Sequence, residues 1–591
     1  MSVLDKSNPA GFTLLVLAAT LLGIGANLLD TKTSSQPHVI LFVIDDQGYS
    51  DIGYQKKDFA SLSPALDAAA HDGIKLTSYY TQEQCTPARA SLLTGKYPSS
   101  VGMQVKTPDL TEPWGVPLQY TMLPEVLKYM GYKTHAVGKW HLGFSKLGYL
   151  PEYRGFDFFA GYYSGKEDYY DHTATTRTGH YYNDLHEGMS NNYDISSYSA
   201  DIYSLKVHQI LEEHDNTEPL FLYYSNQLMH APLELPPDHY FSDEDLETLT
   251  YDIDSDDNAF TDGGRTAVAK MLRATDRVFE KMVESLKSKG MYDDSIIIVM
   301  SDNGGCPYYS GYNVPLRGHK NTVYEGGVRV NAFIHSPLLP KSVLGEYPHL
   351  FHISDIFPTI LEGFLGYAPE ALGTASAKFL DGVNHFPALL DSSLSGPRTE
   401  LLHNVKVESY LVDSDNSNYT HLFPTVGLRA SIGGHSLKLV HGPGSGMGQT
   451  FAIGDSMVIE TNSGDIELNL CEDLTMYEMA DFGDLWSYIY SPASQVFDID
   501  GDMEEVYNLA EEVADAVMDE LWQRADHYWD VSAPSALAYG DNSAFQVFAD
   551  NHYYLCPWQE MSDEDWAAVE GRGPAEGVMW TPVERTATVH F

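Results

Sequence analysis

Six short stretches of this 591-residue chain carry side chains whose types and spacing could do chemistry. Asp45-Asp46 and Asp302-Asn303 together offer three carboxylates and one amide oxygen. Hard oxygen donors in that number suit Ca²⁺, and less well Mg²⁺, far better than zinc or copper. One Asp-Asp pair alone is ordinarily a helix cap or a loop; two acidic pairs in matching positions point to a bound cation. The most specific string is Cys85-Thr86-Pro87-Ala88-Arg89, which continues to Leu93-Thr94-Gly95. A cysteine met in isolation packs as a small hydrophobe. Likewise Lys139, His141, His230 and Lys320, each taken alone, read as solvated cations and ordinary loop histidines. Their joint occurrence beyond the ends of apolar runs is what makes them candidates.

Those runs are the elements that must position the chemistry. Val39–Ile44 is a continuous apolar, β-branched stretch that ends on Asp45-Asp46, and Ile296–Met300 runs into Ser301-Asp302-Asn303. A shorter run through Ala136-Val137 ends at Gly138-Lys139-Trp140-His141, and Leu220–Tyr224 leads to His230. Continuous runs of this kind read as central strands buried on both faces, as in a parallel sheet covered by helices. Helical patterns separate them; the clearest puts Val268, Met271, Leu272, Phe279, Met282, Val283 and Leu286 on one stripe and closes at Gly290. The alternation predicts an α/β fold with a large mixed, mostly parallel sheet flanked by helices. Ligands of such sheets bind beyond the carboxyl ends of the strands, so the polar residues after these four runs are expected to share one site. Past residue 425 the texture changes: Ser436–Val440 alternates, Gly and Ser cluster from Gly442 to Gly448, and a helix is expected over Glu511–Trp529. The expected organisation is a main domain over 36–425, a smaller α+β domain with an antiparallel sheet over 426–550, and a tail over 551–591 carrying Trp558, Trp566 and Trp580.

Composition narrows the class. With 83 Asp plus Glu against 35 Lys plus Arg the formal charge is −48, which repels phosphate backbones and excludes a general nucleic-acid binder. A hydrophobic fraction of 43% with 12% aromatics marks a folded chain. The four cysteines, Cys85, Cys306, Cys471 and Cys556, contain no C-x-x-C spacing, which removes a cysteine zinc site and a disulfide-rich scaffold. The apolar stretch Phe12–Leu22, followed by Gly23, Gly25 and Ala26, has the order of a secretory signal over residues 1–30. Extended to Leu29 it becomes an N-terminal anchor, the one membrane contact the chain would have. Export is expected, to the outside or to a lysosomal or vacuolar compartment. Asn418-Tyr419-Thr420 is a sequon for N-glycosylation, relevant only on a eukaryotic secretory route. The aspartate-rich stretches Asp252–Asp262 and Asp498–Asp502 lack the EF-hand pattern and read as solvated loops.

The string from Cys85 through Pro87 and Arg89 to Leu93-Thr94-Gly95 resembles the sulfatase signature. Further matches follow in order: Asp45-Asp46 before Gln47-Gly48, the Gly138–Gly143 stretch, His230 in Met229-His230-Ala231-Pro232, Asp302-Asn303-Gly304-Gly305, and Lys320 after Leu316–His319. Gly318, Tyr324–Gly327 and Leu401–Asn404 follow the pattern of the arylsulfatase B type, which acts on N-acetylgalactosamine 4-sulfate. The resemblance runs from about His38 to Asn404 and implies an alkaline-phosphatase-like fold. It implies that Cys85 is oxidised to formylglycine by dedicated maturation machinery, and that one Ca²⁺ is held by Asp45, Asp46, Asp302, Asn303 and the modified residue 85. It also implies that the formylglycine hydrate attacks a sulfate monoester to give a covalent sulfo-enzyme intermediate. In that scheme Lys139 and Lys320 bind sulfate oxygens, His141 assists the later elimination, His230 serves substrate binding and protonates the leaving oxygen, and Arg89 holds the hydrate and its neighbours. The expected substrate is a small-molecule or terminal carbohydrate sulfate ester whose single sulfate enters a pocket of Ca²⁺, Arg89, Lys139 and Lys320: the repulsion from the −48 envelope is screened over about 8 Å, so that pocket is locally positive. A phosphoryl or phosphonate ester hydrolase of the same superfamily, and a non-catalytic binding protein on the same scaffold, are the alternatives.

Overall fold

A computed structural model describes residues 36–570, apart from 57–58, 60, 177–178, 192–195, 246–263, 368–379, 415–416, 443–456, 462–463, 469–493 and 539. The expected signal or anchor over 1–30, the Asp252–Asp262 stretch, Cys471, Trp580 and the Asn418 side chain lie outside the described residues.

The expected strands meet in one ten-stranded sheet. In chain order they are β1 (His38–Ile44), β2 (Ile74–Leu76), β3 (Lys133–Lys139), β4 (Phe158–Tyr162), β5 (His186–Glu187), β6 (Ser190–Asn191), β7 (Leu220–Asn226), β8 (Ser295–Ser301), β9 (Ala332–His335) and β10 (Gly345–Tyr347). Across the sheet their order is β10-β2-β9-β8-β1-β7-β3-β4-β5-β6. The central strands β8, β1, β7, β3 and β4 pair in parallel, and antiparallel pairs appear towards the edges.

The side-chain period of two splits β1 between two cores. Val39, Leu41 and Val43 face one side, with residues of α1 (Cys85–Thr94) such as Leu92 and Leu93. Ile40, Phe42 and Ile44 face the other, under α2 (Ser199–Glu213) and α3 (Gly264–Lys289). A strand covered on both faces needs no polar alternation, which is why these runs are continuously apolar. Helix α3 carries the expected stripe, and Gly290 follows it at φ +75.

A separate four-stranded antiparallel sheet comprises β11 (Glu400–Ser414), β12 (Ser417–Ile432), β13 (His435–His441) and β14 (Gln495–Asp498), with α4 (Asp515–Val531) on its apolar side. The boundary expected between 425 and 426 falls inside β12, because its pairing with β11 already belongs to this sheet. The change in texture at 425 falls where β12, already paired with β11, begins to pair with β13 as well, at Val426. The chain then returns to the large sheet. Leu555 N–H donates to Asn183 O (2.9 Å) and Trp558 N–H to Ser145 O (3.0 Å), so residues 551–570 pack on the main domain. Among the described residues no helix is long and apolar enough to cross a membrane.

Candidate active site

Parallel register brings the two acidic pairs together. Ile44 stands opposite Ser301 on β8, so Asp45-Asp46 and Asp302-Asn303 leave adjacent strands at the same level. Asp302 N–H donates to Ile44 O (3.2 Å), and Asp46 N–H donates to Asp302 Oδ1 (3.1 Å). Asp46 adopts φ +56, a conformation rare outside glycine and found where surrounding contacts over-determine it.

Helix α1 delivers the next two residues. Cys85 is its first residue and Arg89 lies one turn later on the same face. Cys85 Sγ is 3.6 Å from Asp45 Oδ1 and 3.8 Å from Asp46 Oδ1. Arg89 is buried and grips Asp302 Oδ2 through Nε (2.9 Å) and Nη2 (2.7 Å), with Nη2 3.3 Å from Asp45 Oδ1. Its Nη1 reaches the Tyr223 hydroxyl (3.3 Å) and Ser225 on β7. Arg89 therefore binds the carboxylates that neighbour position 85, Asp302 and Asp45, whose edges fit its planar fork.

The other two strand ends close the site. Lys139, last in β3, donates to Asp45 Oδ2 (2.7 Å) and lies 3.3 Å from Cys85 Sγ. Gly138 before it is at φ +95, and a Cβ there would stand 2.0 Å from Ser225 O, so only glycine allows β3 to pass β7 at this point. His230 follows β7; its Nδ1 donates to Ala231 O (2.6 Å), which leaves Nε2 as the atom facing Asp46 Oδ2 at 3.5 Å. Lys320 donates to Asp46 Oδ2 (2.7 Å) and to His230 Nε2 (3.3 Å). His141 joins through its backbone: its carbonyl accepts the Thr86 hydroxyl (2.7 Å), and its N–H donates to Tyr163 O (3.1 Å).

Electrostatics follow from burial. Burial acts to raise Asp46, but Lys320, His230 and Lys139 outweigh it and hold its carboxyl below the ordinary range. Burial pushes Asp302 up, and Arg89 offsets this only in part. Burial pushes the Cys85 thiol up despite Lys139 and Lys320, so the unmodified thiol is a poor nucleophile here. Burial, aided by neighbouring cations, lowers His141, and burial lowers His230 in spite of Asp46. Three carboxylates against Arg89, Lys139 and Lys320 leave the cluster formally neutral before any cation is added.

The residues gathered here could hold a metal ion. Ligand atoms of Asp45, Asp46, Cys85 and His230 all lie within 4.8 Å of one another and are buried. Asn303 donates to Asp46 Oδ1 (2.7 Å) and keeps its own Oδ1 buried without a partner, an acceptor that a cation would satisfy. Asp302 adjoins this group through Asp46 N–H and Arg89. Asp45, Asp46, Cys85, Arg89, Lys139, His230, Asp302, Asn303 and Lys320 thus meet beyond the carboxyl ends of the parallel strands, and His141 adjoins them through its backbone.

Sequence reasoning did not single out Gly165, Ser225 or Tyr223. Gly165 sits so close to the His141 ring that a Cβ there would stand 2.6 Å from Cε1. Nothing in the sequence distinguishes it among 48 glycines. The cysteines divide as Cys85 and Cys556 free, with Cys306 in a disulfide.

Comparisons with known proteins give the chain its family. Mouse arylsulfatase J is 39% identical over 380 residues, covering 64% of this chain and 59% of that protein. Human N-acetylgalactosamine-6-sulfatase is 28% identical over 384 residues, covering 61% of this chain and 66% of that one. This chain thus spans less than two thirds of the length of these relatives. The crystal structure of Ps i-CgsB superposes with a TM-score of 0.62 at 22% identity, over 88% of this chain and 98% of that one, a likeness of fold. A family model described as Sulfatase matches residues 37–367, and the chain belongs to the sulfatase family.

Proposed function

We propose that the chain is a calcium-dependent sulfatase that hydrolyses an aryl or terminal carbohydrate sulfate monoester. One observation carries the reading: position 85, at the head of α1, faces Asp45, Asp46 and Lys139 within 3.8 Å, in a chain of the sulfatase family. Asp45, Asp46, Asp302 and Asn303 are the residues to hold Ca²⁺, which when bound draws charge from sulfate oxygens and orients the ester. Cys85 converted to formylglycine supplies a hydrated aldehyde whose hydroxyl replaces the poor thiol nucleophile.

The remaining work belongs to the chain's own side chains. Lys139 and Lys320 present ammonium donors beside position 85 and Asp46, where they neutralise sulfate oxygens as charge builds. Arg89 locks Asp302 and Asp45 in place, so that the carboxylates need not reorganise during the reaction. The Ala231 carbonyl fixes the His230 tautomer with Nδ1 protonated and Nε2 as an acceptor beside the Lys320 ammonium, so the proton that reaches the leaving oxygen comes from that ammonium and is relayed through Nε2. His141, held between Thr86 and Tyr163, is the base for the elimination step. The substrate proposed is one that inserts a single sulfate; export and maturation by formylglycine-generating machinery complete the reading.

The test is turnover of an aryl sulfate against an aryl phosphate with the same leaving group, with calcium and after chelation. Preferred, calcium-dependent sulfate turnover is expected. Phosphate turnover exceeding sulfate turnover would replace this reading with the phosphoryl-hydrolase one.

A further inference from the structure

The acidic stretch Asp498–Asp502, read from the sequence as a solvated loop, builds a turn that sends one carboxylate inward. After β14, Asp502 N–H donates to Asp498 O (2.8 Å). The Asp502 carboxylate accepts Val506 N–H (3.0 Å) and Tyr507 N–H (2.8 Å). Between them Glu505 takes φ +54, a costly conformation for a residue with a side chain, and one that only a closed hydrogen-bond frame sustains. The result is selective: Val506 and Tyr507 are 59% and 71% exposed, whereas Glu505 is fully buried.

What Glu505 touches is the loop that carries Lys320. Its Oε2 accepts Glu325 N–H (2.8 Å), and its backbone carbonyl accepts Arg317 Nη1 (3.0 Å). Its Oε1 is 2.9 Å from Lys438 Nζ on β13, and the same ammonium is 2.9 Å from Glu325 Oε1. Glu325 is further held by the Tyr80 hydroxyl (2.7 Å). Arg317 and Glu325 are thus the two feet of one loop. It is closed on itself by Gly326 N–H to Arg317 O (2.6 Å), Thr322 N–H to His319 O (2.9 Å) and the Arg317 guanidinium over the Tyr324 ring (4.5 Å). At its tip Lys320 reaches Asp46 and His230. A buried ion cluster is a poor source of net stability, so the consequence of this one lies in geometry.

We propose that Glu505 is a positioning residue for Lys320: the small sheet fixes both feet of the 317–325 loop and thereby sets how tightly the site holds a sulfate group. This rests on the sulfatase reading of Lys320. The frame is built from the smaller sheet, so the active site is incomplete without it.

The test uses the full chain and inorganic sulfate as a competitive inhibitor of aryl sulfate turnover. Ki does not depend on the fraction of active enzyme, so a merely structural loss would leave it unchanged. Glu505→Gln is expected to raise Ki by about tenfold, the scale of one charge-assisted hydrogen bond. Lys320→Ala is expected to raise it at least as much, and the double variant no further than Lys320→Ala alone. Asp502→Ala, which opens the turn without leaving a buried charge unpaired, is expected to shift Ki the same way by a smaller factor and covers the case in which Glu505→Gln does not fold. A Ki within twofold of wild type in both Glu505→Gln and Asp502→Ala, or in Asp502→Ala alone should Glu505→Gln not fold, overturns the proposal. So does a Glu505→Gln effect that adds in full to Lys320→Ala. A wild-type chain that turns over no sulfate ester overturns the functional reading instead, and the two failures are distinct.

Discussion

Gly165→Ala is the sharpest perturbation of the active site, because it adds one methyl group and removes nothing. The new Cβ would stand 2.6 Å from His141 Cε1 and 2.7 Å from Nε2, whereas ordinary contact begins at 3.4 Å. Something must therefore yield by about 0.8 Å, the difference between 3.4 and 2.6 Å. The 163–165 segment is poorly placed to lift away, since the buried Asp184 carboxylate accepts both Tyr163 N–H (3.0 Å) and Ser164 N–H (2.8 Å). The His141 backbone is pinned by Thr86 and Tyr163. The imidazole is left to swing. Misplacing a reacting group by about 1 Å costs on the order of 10²-fold in rate. The assay is kcat and KM on a chromogenic aryl sulfate, with thermal melting and the aldehyde content of position 85 as controls. The expected result is a kcat lower by about 30- to 100-fold with KM and melting little changed. A kcat within threefold of wild type would refute the placement of His141 beside Gly165 in the working enzyme. A rate loss matched by loss of aldehyde would assign Gly165 to maturation instead.

Arg89→Met should abolish turnover and also destabilise the fold by about 3–5 kcal/mol, since it strands Asp302 without its partner; an unchanged melting temperature would contradict the buried pairing. Glu152→Gln tests a pH effect away from the site. Burial pushes the Glu152 carboxyl up to about 7, offset only by its own backbone amide, and neither oxygen has a partner outside the residue. Between its ordinary 4.5 and about 7 the folded chain keeps a proton that the unfolded chain releases. Stability should therefore fall as pH rises through that window, by about 3 kcal/mol in all, and the Gln variant should lose this slope. Parallel melting curves for the two proteins from pH 5 to 8 would contradict it. Chelation should abolish activity reversibly and lower the melting temperature, with Ca²⁺ at 100 times its Kd restoring about 2.7 kcal/mol; chelation without effect on melting would argue against a bound ion.

The parts of this molecule legible in its sequence are those whose physics is local. Val39–Ile44 and Ile296–Met300 read as central strands because burial on both faces leaves no polar position. Helix α3 announces itself through a 3.6-residue stripe. The acidic pairs could be placed at one site because ligands gather at the carboxyl ends of parallel strands, whereas the Cys85 string joined them only through the family resemblance. What depends on a long-range meeting was not legible. The register of Ile44 against Ser301, which sets the two acidic pairs side by side, has no sequence signal. Neither has the approach of Gly165 to His141, nor the inward turn of Glu505 between two exposed neighbours. The small sheet was placed too late in the chain because β11 and the first half of β12 pair with each other through a long hairpin, and composition does not reveal pairing.

The central claim is that position 85 bears an oxidised side chain facing a cation held by Asp45 and Asp46. The measurement that tests it most directly is the mass of the tryptic peptide Leu76–Arg89 from chain produced in a host with the maturation machinery. Conversion of the thiol to the aldehyde lowers that mass by about 18 Da, and this peptide is expected to dominate in active protein. A fully active preparation whose peptide keeps an intact thiol would contradict the account.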